Sequence, residues 1–391
     1  MQVDRQQFLN DGYIIIRECI PAEMLEQLRK SFGTLVERQK KVWADEAGPD
    51  DPPGGVWESS GQPRLWYDHV VDSATSDTID FVMHDNTMGV SRQLMQSDEA
   101  AVACFFLMCS PVKDHGPAAW HRDIHPIDQA PLRGLQRDLL ENAPGLIQWN
   151  VPLYDDDVLW VVPGSHRRPN TPAENEQLLA DNTVPLPESI PVKLKAGDGV
   201  AYTNTILHWG SNYSSKLRRT IHFGHRAFGG QIYPYVPHFY WKREILQHAS
   251  TSSQELLGRF LELKVEEFGT VVSLFRVLID KDEQLFLVEL AKLHPGEKQR
   301  LVCVIQLSKL AYKMRFQPEN YGSDLVDADE VAAQFSAEEL EALWERFAPL
   351  DSLLKTDEDQ FTPGFQSQAM KYTFEEMPDG FGVEEFVASW E

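Results

Sequence analysis

Residues Ala118–His125 read AAWHRDIH and set an imidazole and a carboxylate two positions apart, at His121 and Asp123. In an extended chain, positions i and i+2 share a face. His121 and Asp123 would therefore offer one nitrogen and one oxygen to the same metal ion. Those are two of the three ligands of a facial triad of two histidines and a carboxylate, which leaves open positions on iron. In a chain with twelve histidines one His-x-Asp arises by chance, so the pair needs company. His125 extends it to His-x-Asp-x-His, a strand-borne set that would suit zinc and hydrolysis. Pro126 follows at once, however, and should end the strand before His125 reaches a shared metal.

A third ligand must come from a distant strand, and GDGVAYTNTILHWGSNYSSKLRRTIHFGHRA supplies one. A Gly-Asp turn launches an alternating strand that ends at His208, and Arg219 opens the next strand eleven residues on. An arginine there can clamp a planar carboxylate with two parallel hydrogen bonds, as anchoring the distal end of 2-oxoglutarate requires. Period two groups Arg219 with Ile221 and Phe223, and Arg218 with Thr220 and His222. If the apolar face is the interior, Arg219 points inward, and Arg218 and His222 point outward.

With these residues assembled, the chain resembles the phytanoyl-CoA dioxygenase family of non-haem iron(II), 2-oxoglutarate-dependent oxygenases. The resemblance rests on FLNDGYIIIRECI near the N-terminus, HRD at His121–Asp123, VVPGSH at Val161–His166, and HWGSNYSSKLRR with His208 and Arg219. It runs over residues 6 to 228 and leaves the C-terminal part outside. It implies His121, Asp123 and His208 as iron(II) ligands and Arg219 as partner of the 2-oxoglutarate carboxylate, with O2 as oxidant. The implied fold is mainly β with helices, a double-stranded β-helix (a cupin-like jelly roll). Family members that halogenate replace the ligand carboxylate by a small residue, so Asp123 points to hydroxylation or a related oxidation. HWGS departs from the pattern by placing a tryptophan beside the histidine, which leaves Ser211 and Ser214 as candidate hydroxyls assisting Arg219.

The elements that must position these groups are legible in outline. GYIIIR reads as a strand, followed by a helix that opens after Pro21. Ala47–Pro63, rich in Pro and Gly, is too long for a turn and reads as a lid or a surface loop. From Ala100 to Phe228, short apolar or alternating runs separated by Pro, Gly and Asp suggest an antiparallel sandwich or small barrel. Beyond residue 240 apolar residues recur at i, i+3, i+4, and Ser336 with Glu339 forms a capping box. Two units are expected: 1–238, the oxygenase core, and 239–391, an acidic helical extension docked on it or mediating a homodimer.

Composition narrows the partners. A formal charge of −24 argues against nucleic acid. No apolar run approaches the about 18 residues of a membrane helix, and the N-terminus lacks signal-peptide character. Four scattered cysteines, at 19, 104, 109 and 303, suit reduced thiols in the cytoplasm. Trp57, Trp66, Tyr67 and Trp120 could wall a pocket or pack in the core, and Gln148 and Asn150 could line the pocket or face solvent. His166 in the PGSH turn reads as structural, and His225 flanks a strand with no assigned role.

Three functions compete: an iron(II)/2-oxoglutarate oxygenase acting on a small or medium organic substrate, a zinc hydrolase built on His121, Asp123 and His125, and a non-catalytic binder of the same fold. A hydrolase has no need of an interior arginine, and a binder usually lacks a ligand, so the oxygenase is favoured.

Overall fold

The computed structural model describes residues 1–66, 70–124, 130–228, 247–317, 328–354, 362–365 and 376–390. The first half alternates helices α1 (Arg5–Asp11), α2 (Ala22–Asp45), α3 (Val56–Ser59), α4 (Asp77–Val82) and α5 (Val90–Met95) with strands β1 (Tyr13–Ile16), β2 (Arg64–Leu65) and β3 (Ala100–Cys109). Next come α6 (Leu132–Asn142), β4 (Leu146–Pro152), β5 (Leu159–Val161), α7 (Pro172–Ala180), β6 (Ile190–Pro191), β7 (Gly199–Tyr202), β8 (His208–Gly210) and β9 (Arg219–Ala227). The remainder is helical: α8 (Thr251–Asp280), α9 (Glu283–Leu293), α10 (Arg300–Phe316), α11 (Ala328–Ala332), α12 (Ala337–Leu353) and α13 (Val383–Ala388).

Two antiparallel sheets result, one of six strands in the order β1-β7-β4-β9-β3-β2 and one of three in the order β6-β5-β8. They meet across a small apolar cluster of Leu159, Val161, Val192, Leu194, Val200, Tyr202 and Ile206. Trp149 and Phe223 lie opposite each other in the β4–β9 register, as do Phe105 and Phe223 in β3–β9. That face, with Ile147, Val151, Leu107 and Ile221, joins the largest core cluster together with side chains of α2, α4 and α5.

The expected inward face is thereby corrected. The strands bury two faces, and the apolar one lies against helices. The face between the sheets carries Gln148, Asn150, Thr220 and His222, all at most 9% exposed. A strand covered on both sides does not show which of its faces is the sandwich interior. Accordingly Arg218 is buried at 4% exposure and His222 at 9%, whereas Arg219 is half-buried and its guanidinium lies 5.5 Å over the Trp57 ring.

The Pro- and Gly-rich loop is pinned rather than free. Trp57 stacks on Trp43 of α2 at 6.3 Å, and the Lys40 ammonium covers its ring at 4.4 Å. Gly55 at the bend has φ +53°, and a Cβ there would stand 2.1 Å from the Trp43 carbonyl oxygen. Only glycine allows that approach.

The helical region is packed onto the β core. Ala249, Leu257 and Phe260 belong to the main cluster, and Ile124, Leu132 and Leu135 belong to the cluster of the C-terminal helices. The capping box at Ser336 and Glu339 is present. From Leu301 to Ala311, α10 is buried on every side, so it is the bundle's central helix rather than an amphipathic surface one. The expected boundary between 238 and 239 lies outside the described residues.

Candidate metal centre

His121 lies just outside the regular strands, in an isolated antiparallel bridge to His208. Each backbone nitrogen donates to the other's carbonyl at 3.0 Å, so the two residues stand opposite each other on one rung, with ring centroids 4.4 Å apart. Two residues on, the Asp123 amide donates to Asn204 O at 2.9 Å, which turns the carboxylate under both imidazoles. Asp123 Oδ1 is 3.3 Å from His121 Nε2, and Oδ2 is 3.2 Å from His208 Nε2. One ligand atom from each of the three residues lies within 4.8 Å of the others.

The backbone fixes which nitrogens face the centre. His121 Nδ1 lies 2.8 Å from Ala119 O and His208 Nδ1 lies 3.0 Å from Ile206 O. A carbonyl only accepts, so each Nδ1 carries a proton and each Nε2 is the nitrogen turned to the centre. Burial would raise the Asp123 carboxyl, but His208 and His121 hold it well below the usual carboxylate range. Gln148 donates to Asp123 Oδ2 at 2.7 Å, while its own Oε1 is buried with no hydrogen-bond partner among the described residues. Two imidazoles with converging Nε2 atoms and one carboxylate form a donor set that fits iron(II).

Arg122, between His121 and Asp123, points the opposite way and is fully buried. It donates to Asn170 Oδ1 at 2.6 Å and to Ser165 O at 3.1 Å, tying the triad strand to the VVPGSH turn. In that turn His166 is buried against Leu9 O, and burial pushes its pKa down to about 4, which fits the structural role expected of it.

Arg218 stands on the triad's face. Its Nε donates to Asp156 Oδ2 at 2.9 Å, Thr220 Oγ1 donates to the same oxygen at 2.7 Å, and Tyr213 covers the guanidinium at 5.2 Å. Burial opposes ionisation of Asp156, yet Arg218 and these hydrogen bonds hold its pKa below normal. Arg219, the arginine expected here, instead donates to the Arg218 carbonyl at 2.8 Å. The hydroxyl beside Arg218 is that of Thr220. Ser211 donates to Val158 O and Ser214 to Asn212 Oδ1. On the same face His222 shares a 2.7 Å hydrogen bond with Asn150 Oδ1, and burial pushes its pKa down to about 3.

Trp120 is fully buried, stacked on Trp209 at 5.4 Å, and donates to Val184 O, so its ring packs in the core. Trp57 belongs to the helix side. Trp66 does reach the site face, 4.6 Å from Phe106. His125 and Tyr67 lie outside the described residues. Asp156 and Tyr213 went unnoticed in the sequence because neither belongs to a spaced motif.

Among solved structures the chain is similar to AviO1 from Streptomyces viridochromogenes Tue57, with 18% identity and a TM-score of 0.39, covering 58% of this chain and 96% of that one. It is similar to HygX from Streptomyces hygroscopicus with nickel and 2-oxoglutarate bound (16%, TM-score 0.40, 58% and 88% covered). EctD from S. alaskensis with 2-oxoglutarate and 5-hydroxyectoine gives 17% identity, a TM-score of 0.39 and coverage of 58% and 76%. No curated protein sequence matches the chain. The family model for phytanoyl-CoA dioxygenase matches residues 8–221, more than half of the chain, and takes in the HRD motif, the PGSH turn, His208 and both arginines. The chain belongs to the phytanoyl-CoA dioxygenase family and is an iron(II)- and 2-oxoglutarate-dependent oxygenase.

Proposed function

We propose that the chain hydroxylates, or otherwise oxidises, a small to medium organic substrate while 2-oxoglutarate becomes succinate and CO2. His121, Asp123 and His208 would hold the iron, and Arg218 rather than Arg219 would take the distal carboxylate of 2-oxoglutarate. Iron bound there supplies the activation of O2 that couples the two oxidations.

The chain's own contribution is positioning. Asp156 occupies the Nε side of Arg218, Met108 Sδ accepts from Nη1 at 3.7 Å and Tyr213 covers the flat face, so Nη2 would be the donor turned to an in-plane carboxylate. The backbone carbonyls behind the two imidazoles hold their Nδ1–H groups, so each ring would offer Nε2 to the metal. Phe106 and Trp66 form an apolar wall beside the ligands, and excluding water there protects a reactive site. The two facing sheets, with the His121–His208 bridge between strand segments, support a double-stranded β-helix.

The observation that carries this reading is the convergence of residues 121, 123 and 208 with the Nε2 atoms turned inward. The test is anaerobic purification, metal analysis, and reconstitution with iron(II), 2-oxoglutarate and O2. Iron-dependent succinate release supports the reading. Zinc retained as the sole metal, with no 2-oxoglutarate bound, would replace it with the hydrolase.

A further inference from the structure

Edge strand β2 carries a cation, Arg64, with no acid beside it among the described residues. Arg64 lies opposite Met108 in the β2–β3 register, so it shares the inter-sheet face with Met108 and Phe106. Its guanidinium stands 5.3 Å over the Phe106 ring, and Trp66 packs on the same ring at 4.6 Å. Phe106 in turn lies 4.7 Å from His222. Arg64 is thus at the mouth of the site, exposed where Arg218 is buried.

Its partners set it apart from the other arginines on this face. Arg218 is neutralised by Asp156, and Arg226 by Glu267. Arg64 donates from Nε and Nη2 to one neutral acceptor, Gln62 Oε1, at 3.2 and 3.1 Å, and meets no carboxylate among the described residues. Gln62 is itself held by Met108 Sδ at 3.2 Å. The amide therefore fixes one edge of the guanidinium and leaves the Nη1–Nη2 edge, which accepts a carboxylate end-on. In a chain with 60 acidic and 36 basic residues, a cation that meets no carboxylate among the described residues runs against the odds of composition. Its field also reaches inward: burial raises the Tyr213 phenol and the Cys104 thiol, and Arg64 is among the charges opposing that rise.

We propose that Arg64 recognises the substrate being oxidised, and that this substrate carries a carboxylate joined to an apolar body lying along Trp66 and Phe106. The inference rests on the oxygenase reading of the same site. The 2-oxoglutarate carboxylate has the buried Arg218, so the exposed Arg64 serves the molecule that enters at the mouth.

The experiment is calorimetric titration of full-length protein loaded with nickel(II), which does not turn over, and 2-oxoglutarate. The probes are matched acids and amides: phenylacetate against phenylacetamide, and hexanoate against hexanamide. The wild type should bind each acid about tenfold or more tighter than its amide, as a charged hydrogen-bonded pair allows. Arg64→Gln should erase that preference, Arg64→Lys should keep part of it, and circular dichroism should show both variants folded. Equal binding of acids and amides by the wild type overturns the proposal, as does a preference that survives in Arg64→Gln. It is also overturned if Arg64→Gln weakens 2-oxoglutarate as much as the acids, because Arg64 would then anchor the co-substrate. If the loaded protein binds no 2-oxoglutarate yet shows an Arg64-dependent preference for acids, the oxygenase reading fails and the recognition role stands.

Discussion

Adjacent arginines 218 and 219 differ by one residue in sequence and by a whole strand face in space. Arg218→Lys and Arg218→Ala should raise the KM for 2-oxoglutarate by roughly one and two orders of magnitude, since a bidentate charged pair contributes about 1.5–3 kcal/mol. Arg219→Ala should move that KM less than threefold, because its guanidinium reaches Trp57 and a backbone carbonyl. A melting curve separates the effect from unfolding, as Arg218→Ala also strands the buried Asp156. The reverse pattern in KM would return the anchor to Arg219. Asp123→Ala should remove the only anionic ligand, leaving iron content near zero by elemental analysis and no iron-dependent succinate. At this scale the sequence was informative about identity and weak about direction. His121 and Asp123 could be found because their spacing follows the period of an extended chain, and His208 because it ends an alternating run eleven residues before Arg219. The inward arginine could not, because β9 is buried on both faces and hydrophobicity marks the helix-packed one.

Strand β9 also bears on how the helical region is held. Arg226, near its end, is 1% exposed and makes two hydrogen bonds, at 2.8 and 2.7 Å, to the Glu267 carboxylate on α8. Breaking one side of such a pair leaves a buried charge, so Glu267→Ala should cost about 3–5 kcal/mol in urea unfolding. The double variant Arg226→Met, Glu267→Leu should recover most of that loss, because an apolar pair of similar volume carries no desolvation penalty. No recovery would mean the pair does more than neutralise itself. The sequence showed α8 and α12 through their apolar spacing and the Ser336 cap. It did not show that α10 is central, since residues such as Gln306, Ser308 and Lys309 read as a polar face and are buried nonetheless. Nor did it show that Trp57 pins its loop to α2, because its partners come from other elements, Lys40 and Trp43 from α2 and Arg219 from β9.

Across the whole molecule, buried histidines give the stability two opposed pH arms. His225 is held between Ser91 and Val82 O, and His166 against Leu9 O, and burial pushes their pKa values down to about 3 and about 4. Each binds a proton more readily when unfolded, so each stabilises above its unfolded pKa of 6.5 and loses that contribution as pH falls below it. The slope is at most about 1.4 kcal/mol per pH unit for each. His294 works the other way. It joins the end of α9 to α6 through Asp138 Oδ1 at 3.0 Å, and its other nitrogen faces Gly296 O at 2.9 Å. Burial alone would lower its pKa, but Asp138 and the carbonyl outweigh that and raise it above 6.5. Its contribution is therefore complete below 6.5 and lost as pH rises through the folded value. Melting temperature measured from pH 5 to 9 should fall at both ends. His294→Gln should flatten the alkaline arm and leave the acid arm in place. Exposed carboxylates are already ionised over the alkaline range, so the net charge of −24 adds little slope there. An alkaline arm of full steepness in His294→Gln would take the α6–α9 clamp out of the account.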